Sequence, residues 1–336
     1  MSRSGNAPPP AERPACWVLT DGKAGNVNPA LGLAECAGLA ITEMSIALAR
    51  PWVWLPPAFW PPGVLGVDRA SAARLTPPWP DVTLSCGRRA IGPALEIKRR
   101  SGGRTRTVHI QHPRMAIDRF DLLIVPEHDQ LSGPNVEVTC GSVHRVTREK
   151  LDLAARDWAG RLAHLPVPRI AVCIGGKNAA YRFDAAVGQA IGADLAKLAR
   201  DTGAGLMLTF SRRTPPDAAA AIREALAGTA TEIWDGQGDN PYFGYLGLAD
   251  RVIVTGDSVN MVSEAAATGR PVQVIRLPVA GRADKFERFH AAMERRGATR
   301  PFGGTLEDWD CQPPDDTQRA ADRLRALLSD NGNSAR

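Results

Sequence analysis

Short apolar runs rich in β-branched residues alternate with amphipathic or Ala-rich stretches along nearly the whole chain, and this alternation restricts the fold more than any other feature. Short apolar runs bounded by Gly, Pro or charge are strand-like; longer stretches with apolar residues every three or four positions are helical. Regular alternation of the two makes each helix a crossover between parallel strands, giving a parallel α/β sheet. In the first half the strand-like runs are ACWVLT, ITEMSI, DVTLSC, RTVHIQ and FDLLIVP, with PALGLAECAGL and AIGPALEIKRR as helices. A further helical stretch, REKLDLAARDWAGRLAHL, runs up to PVPR at 166–169.

A second series then begins. RIAVCIGG, AGLMLTF, TEIWD, DRVIVTG and VQVIRLP read as strands. Helices are expected from Asp184 to Arg200, over PDAAAAIREALAG, within VTGDSVNMVSEAAATGRPV (254–272), and in the closing DDTQRAADRLRALLSD. With 336 residues, 44% of them hydrophobic, the chain exceeds what one average domain needs. The Pro-flanked step near 166 is the expected boundary. The reading is an α/β chain of two Rossmann-like domains facing across a cleft: a disordered Pro-rich tail over 1–14, one domain over 15–165 and a second over 166–330.

Several classes are disfavoured. The six cysteines, at 16, 36, 86, 140, 173 and 311, form no C-x-x-C pair, so no zinc site or disulfide framework is expected. The first fourteen residues hold no apolar core of a signal peptide, which points to a cytoplasmic protein. The net charge of +5 suits nucleotide phosphates, an anionic membrane or nucleic acid and selects none of them; no nucleic-acid partner is expected. The segment 46–67 is apolar, but its five prolines would break a spanning helix. Trp52, Trp54, Phe59 and Trp60 within it suit peripheral membrane contact, or else an irregular connection packed on the core.

The chemistry is concentrated where strands run into glycine turns. In VTGDSVNMVSEAAATGRPV, Gly256 lets backbone approach a ligand, Ser258 is placed as an N-cap, and Gly269 ends the helix. The amides of such a first turn, with the helix dipole, suit a diphosphate. Asp257, Asn260 and Met261 flank the turn, and Glu264 lies on or near their face, where it can accept from ribose hydroxyls. The bland alternative is an ordinary capped crossover helix with a solvated glutamate. Gly175, Gly176 and Lys177 follow one strand; Ser211, Arg212 and Arg213 follow another. Ligands of open α/β sheets bind at the carboxyl ends of strands, and arginine forks onto phosphate oxygens, so these three strand ends form one candidate phosphate site.

The first half offers TDGKAGNVNPALGLAE, a glycine loop between strand and helix. It has neither the Walker lysine-hydroxyl pair nor G-x-G-x-x-G, which weakens an ATPase or NAD-dependent reading. Asp21, Gly22, Lys23, Gly25 and Asn26 form the loop. VHIQHPR and IVPEHDQLSG bring His109, His112, Glu127, His128 and Asp129 to two neighbouring strand ends, a possible source of a general base or simply a set of hydrogen-bonded histidines.

The blocks TDGKAGNVNPALGLAE, IQHPR, DLLIVPEHDQLSGPNV, IGGKNAAYRF, TFSRRTP, NPYFGYLGLADRVIVTGDSVNMVSEAAATGRPV and KFERFH together resemble the mitochondrial-fission family named for the plant elongated-mitochondria factor, over about residues 15 to 305. The 254–272 stretch is also similar to the nucleotide-binding block of GT-B glycosyltransferases. That resemblance implies a GT-B-like fold, a nucleoside diphosphate sugar as substrate, no metal and no other cofactor, and a ribose contact at Glu264. It further implies an acceptor near the 21–26 loop, with Asp21, His112 or Asp129 as base. The resemblance to plant members implies the alternative of a non-catalytic adaptor that binds a dynamin-related GTPase.

Overall fold

The computed structural model describes residues 13–54 and 63–333. The chain forms two compact units. The first runs to Ile124 and adds Gly133–Asn135 and the chain from Ala321; the second comprises Val125–Ser132 and Val136–Ala320. Phe59 and Trp60 lie outside the described residues.

The first sheet contains β1 (Ala15–Thr20), β2 (Ala40–Ser45), β3 (Val82–Cys86), β4 (Arg106–Ile110), β5 (Leu122–Pro126) and β6 (Val136–Thr139), in the order β2-β1-β3-β4-β5-β6. The pairings β1–β2, β1–β3, β3–β4 and β4–β5 are parallel. Helices α1 (Ala24–Cys36), α2 (Arg69–Ala73) and α3 (Arg88–Arg100) belong to this half. Leu19, Met44 and Ile46 pack with Ala90, Ala94 and Ile97 of α3. The strand order reverses between β1 and β3, so the 21–26 loop and Gly87 lie at a topological switch point.

In the second unit, α4 (Arg148–Ala159) precedes β7 (Arg169–Ile174), α5 (Ala185–Thr202), β8 (Gly205–Phe210), α6 (Pro216–Ala225), β9 (Thr231–Ile233), α7 (Tyr242–Leu248), β10 (Arg251–Thr255), α8 (Val259–Ala266), β11 (Val272–Ile275), α9 (Asp284–Arg295) and β12 (Arg300–Pro301). The last helix, α10 (Asp316–Asn333), starts in the second unit and ends in the first. The second sheet runs β12-β11-β10-β7-β8-β9. This is the 3-2-1-4-5-6 order of the doubly wound Rossmann fold, with its switch point between β7 and β10.

The pleat explains why these strands are apolar throughout. Ile170, Val172 and Ile174 of β7 face α5 and α6, packing on Val187, Ile191, Leu195, Ala218 and Ile222. Ala171 and Cys173 face the other way, toward Leu151, Tyr245, Val262, Ala265 and Phe289. A parallel strand covered on both faces needs apolar residues at every position rather than at alternate ones.

The second sheet begins at Arg169, just after the Pro-flanked step, but the second compact unit begins earlier, at Val125. Helix α4 belongs with it: Trp158 meets Tyr245 edge to face with centroids 6.1 Å apart. A Cβ on Gly244 would lie only 2.4 Å from the Trp158 ring. Among the described residues no helix is long and apolar enough to cross a membrane.

Candidate functional site

The carboxyl ends of β7, β8 and β10 are tied together by one side chain. Asp257 follows β10 and is 2% exposed. Its Oδ2 accepts the Gly176 amide at 2.8 Å, and its Oδ1 accepts the Thr255 hydroxyl at 2.7 Å. The Arg213 guanidinium stands 3.6 Å from Oδ2. Burial pushes the Asp257 carboxyl above the usual range, against the opposing pull of Gly176, Thr255 and Arg213. Thr255 in turn accepts the Gly175 amide at 2.7 Å, and the Lys177 amide donates to the Arg213 carbonyl at 3.1 Å.

What stands against the strand-end glycines is protein. A Cβ on Gly175 would meet Asp257 Oδ1 at 2.0 Å, and one on Gly176 would meet the Arg213 backbone at 2.2 Å. On Gly256 it would meet Nε2 of His290 at 2.9 Å. These glycines therefore allow three strand ends to close on one another. Asn178 adds a further tie, donating from Nδ2 to the Asp257 carbonyl at 3.0 Å.

At the rim, Ser258 caps α8, its Oγ accepting the Met261 amide at 3.4 Å, a long contact. Asn260 and Met261 are partly exposed on the first turn. Gly269, at φ +69, turns the chain after the helix. Lys177 and Arg212 are exposed, and neither side chain has an ion pair among the described residues. Ser211 faces inward, its Oγ accepting the Arg213 amide at 3.2 Å. This surface therefore presents a helix N-terminus with two exposed cations beside it, a combination suited to an anion.

Glu264 is not a solvated glutamate. It is 6% exposed, and its Oε2 accepts the Tyr242 hydroxyl at 2.8 Å. Burial, with the Glu264 charge, holds the Tyr242 phenol well above its usual range. Sequence reasoning passed over Tyr242, because the Gly- and aromatic-rich α7 carries no clear helical period. It also passed over His290, although Phe286, Phe289, His290 and Met293 repeat at helical spacing in α9.

In the first unit, the Asp21 to Asn26 loop is a structural knot. Asp21 Oδ1 accepts from the Lys23 amide at 3.2 Å and from Asn26 Nδ2 at 2.8 Å, and Lys23 Nζ lies 3.5 Å from Oδ2. Burial opposes ionisation of Asp21, but these contacts outweigh it and lower its pKa. Gly22 turns at φ +76, and Gly25 lies in the first turn of α1. Asn26 Oδ1 accepts from Gln111 Nε2 at 3.3 Å and from the Cys86 thiol at 3.6 Å, so it joins the ends of β1, β3 and β4.

The histidine cluster expected at two strand ends resolves into separate roles. His109 is buried within β4 with Nδ1 2.9 Å from Ser85 Oγ, and burial pushes its pKa down to about 3. His112 accepts the Arg114 amide at Nδ1, 3.0 Å away, so its neutral ring carries hydrogen on Nε2. In the second unit, Glu127 pairs with Arg295 and Arg296, both at 3.2 Å, and Asp129 pairs with Lys285 at 3.0 Å. The Arg288 guanidinium donates to the His128 carbonyl. The 127–129 turn is thus fastened along α9. Among the described residues no three His, Cys, Asp or Glu side chains are grouped to hold a metal ion.

A model of the family described as mitochondrial fission ELM1 matches residues 24–328. The chain belongs to this family. In sequence it is similar to the mitochondrial fission protein ELM1 of Arabidopsis thaliana, 33% identical over 295 residues, which takes in 76% of this chain and 66% of the plant protein. The chain thus spans just under two-thirds of that relative's length. In fold it is similar to the UDP-GlcNAc 2-epimerase of Methanocaldococcus jannaschii, with TM-score 0.54, 10% identity, and 94% of this chain and 99% of that one covered. It is similar also to a UDP-glucosyltransferase of Polygonum tinctorium, with TM-score 0.51, 10% identity, and coverage of 96% and 94%. At such identities the likeness is one of fold: this ELM1-family chain carries two six-stranded Rossmann-like sheets of the GT-B type.

Proposed function

We propose that the second unit binds a nucleoside diphosphate sugar at the carboxyl ends of β7, β8 and β10, and that the protein transfers the sugar to an acceptor bound by the first unit. The observation that carries this reading is the switch point between β7 and β10, where the N-terminus of α8 stands beside a rim bearing Lys177 and Arg212. The diphosphate is held by the first turn of α8 at Ser258, Asn260 and Met261, by Lys177 and Arg212, and by Arg213 to the extent that Asp257 leaves its charge available. Asp257, Gly175, Gly176, Ser211 and Gly256 shape the turns. Glu264, oriented by Tyr242, receives the ribose. Helix N-terminus and cations stabilise the departing diphosphate by electrostatics alone.

On the acceptor side are Gly22, Lys23, Gly25 and Asn26, with Asp21 and His112 of the first unit as candidate proton-handling groups; Asp129, the third candidate, belongs to the second unit. Asp21 and Asp129 are each engaged by a lysine, and His112 accepts the Arg114 amide at Nδ1. The neighbours' names include a sugar epimerase and a sugar transferase. A titration with nucleotides tests the binding common to both chemistries, and product analysis with labelled donor separates them.

The exposed apolar groups near the first unit's 50–65 segment support membrane contact. Trp54 is 68% exposed and Leu65 74%, and the Arg50 guanidinium lies 5.2 Å from the Trp54 ring centroid. Flotation with anionic vesicles at low salt tests this, and protein left wholly in the unbound fraction would refute it.

A second reading, a non-catalytic adaptor that binds a protein partner such as a dynamin-related GTPase, is favoured by the family's name and by the protein groups that fill the strand-end glycine positions. It predicts that Arg212→Ala and Glu264→Gln proteins complement a deletion fully.

A further inference from the structure

His290 lies on α9 with 0% of its surface exposed. Its Nε2 is 2.8 Å from the Gly256 carbonyl oxygen, and its Nδ1 is buried without a hydrogen-bond partner among the described residues. A carbonyl oxygen only accepts, so Nε2 carries the hydrogen and donates it. A buried acceptor left unpaired is unfavourable, and packing alone would be better served by an apolar side chain of this size. What the imidazole adds is the bond to Gly256.

We propose that His290 is a positioning residue for the nucleotide turn: by holding the Gly256 carbonyl it fixes the Gly256–Asp257 peptide, and with it the start of α8, in the orientation that receives a diphosphate. The inference rests on the nucleotide-binding reading above. A glycine peptide rotates readily, and rotation would bring a carbonyl oxygen toward an anionic ligand. Two groups oppose that rotation: the Asp257 carboxylate, bonded to Gly176, and the His290 imidazole. The helix bearing His290 is itself held along its length, by Lys285 to Asp129, Arg288 to the His128 carbonyl, and Arg295 and Arg296 to Glu127. The 127–129 turn thereby acquires a role as the anchor of α9.

The test compares His290→Leu, which removes the donor, with His290→Gln, which restores an N–H at similar reach. Amide hydrogen exchange over 256–262 is measured on the protein alone, and affinity by titration with UDP, GDP and ADP. The expected result is roughly tenfold faster exchange and about fivefold or more weaker binding in His290→Leu, with His290→Gln close to wild type; a net hydrogen bond corresponds to about that factor in affinity. Should His290→Leu fail to fold, His290→Asn, whose amide is shorter, takes its place. Wild-type exchange and affinity in His290→Leu, or equal losses in His290→Gln, would overturn the proposal. If the wild type binds none of the three nucleotides, the nucleotide reading itself has failed, and the positioning role falls with it whatever the exchange shows.

Discussion

The Asp257 carboxylate accepts the Gly176 amide at 2.8 Å, so one buried side chain bridges the two strands between which the second sheet reverses its order. Asp257→Ala strands that amide and the Thr255 hydroxyl, and should lower unfolding stability by about 2–3 kcal/mol in denaturant titrations. Asp257→Asn should lower it less. The folded pKa of Asp257 is raised above the usual 3.8, so its stabilising contribution is fully present below that value and is lost as pH rises through the folded pKa. The stability difference between wild type and Asp257→Asn should therefore move against the wild type as pH climbs out of the acid range.

Three buried histidines of the second unit set an acid limit. His128, His144 and His290 are each pushed down to about 4, chiefly by burial. With an unfolded value of 6.5, their contribution is present above that pH and declines as pH falls toward 4. Stability should therefore fall steadily as pH drops through that window. Denaturant midpoints at pH 7.5, 6 and 5 check this, and a flat profile would contradict it.

In the first unit, Gly87 holds φ +84 and ψ 152, and a Cβ there would lie 2.6 Å from Asn26 Nδ2. Gly102, at φ +65, has nothing within 4 Å of a Cβ. Gly102→Ala should cost about 1 kcal/mol, and Gly87→Ala roughly 2–3 kcal/mol more, since only glycine adopts its conformation easily. Thermal or denaturant unfolding of the two variants side by side measures the gap.

Arg212 and Lys177 are exposed at their strand ends, so Arg212→Ala and Lys177→Ala should leave stability within about 0.5 kcal/mol of wild type. Each should nonetheless weaken a nucleoside diphosphate roughly tenfold while barely affecting the parent nucleoside. Equal losses for both ligands would place these side chains away from the phosphates.

Much of the fold was legible because buried parallel strands leave an unmistakable trace. ACWVLT coincides with β1, and RIAVCIGG carries β7 and the turn after it. β6 was missed because Val136–Thr139 is only four residues long and two of its positions are polar, and β12 because two residues, one a proline, cannot be told from loop. The switch-point turns were legible as glycines after strands. Their packing partners were not: that Asp257 fills the space beside Gly175, and His290 the space beside Gly256, depends on tertiary neighbours 82 and 34 residues away, which local pattern does not reveal. For the same reason the pattern named Glu264 as a ribose contact but not Tyr242, whose hydroxyl donates to it.

The central claim is that the β7–β10 switch point holds a nucleoside diphosphate. It is tested most directly by following the unfolding of the wild type and Glu264→Gln during titration with UDP, GDP, ADP, CMP and their sugar conjugates. Saturation near a hundred times the dissociation constant should add about 2.7 kcal/mol, a shift of roughly a few degrees. A shift selective for one base and diminished in Glu264→Gln is the predicted result; well-folded wild-type protein that responds to none of the nucleotides would contradict the claim.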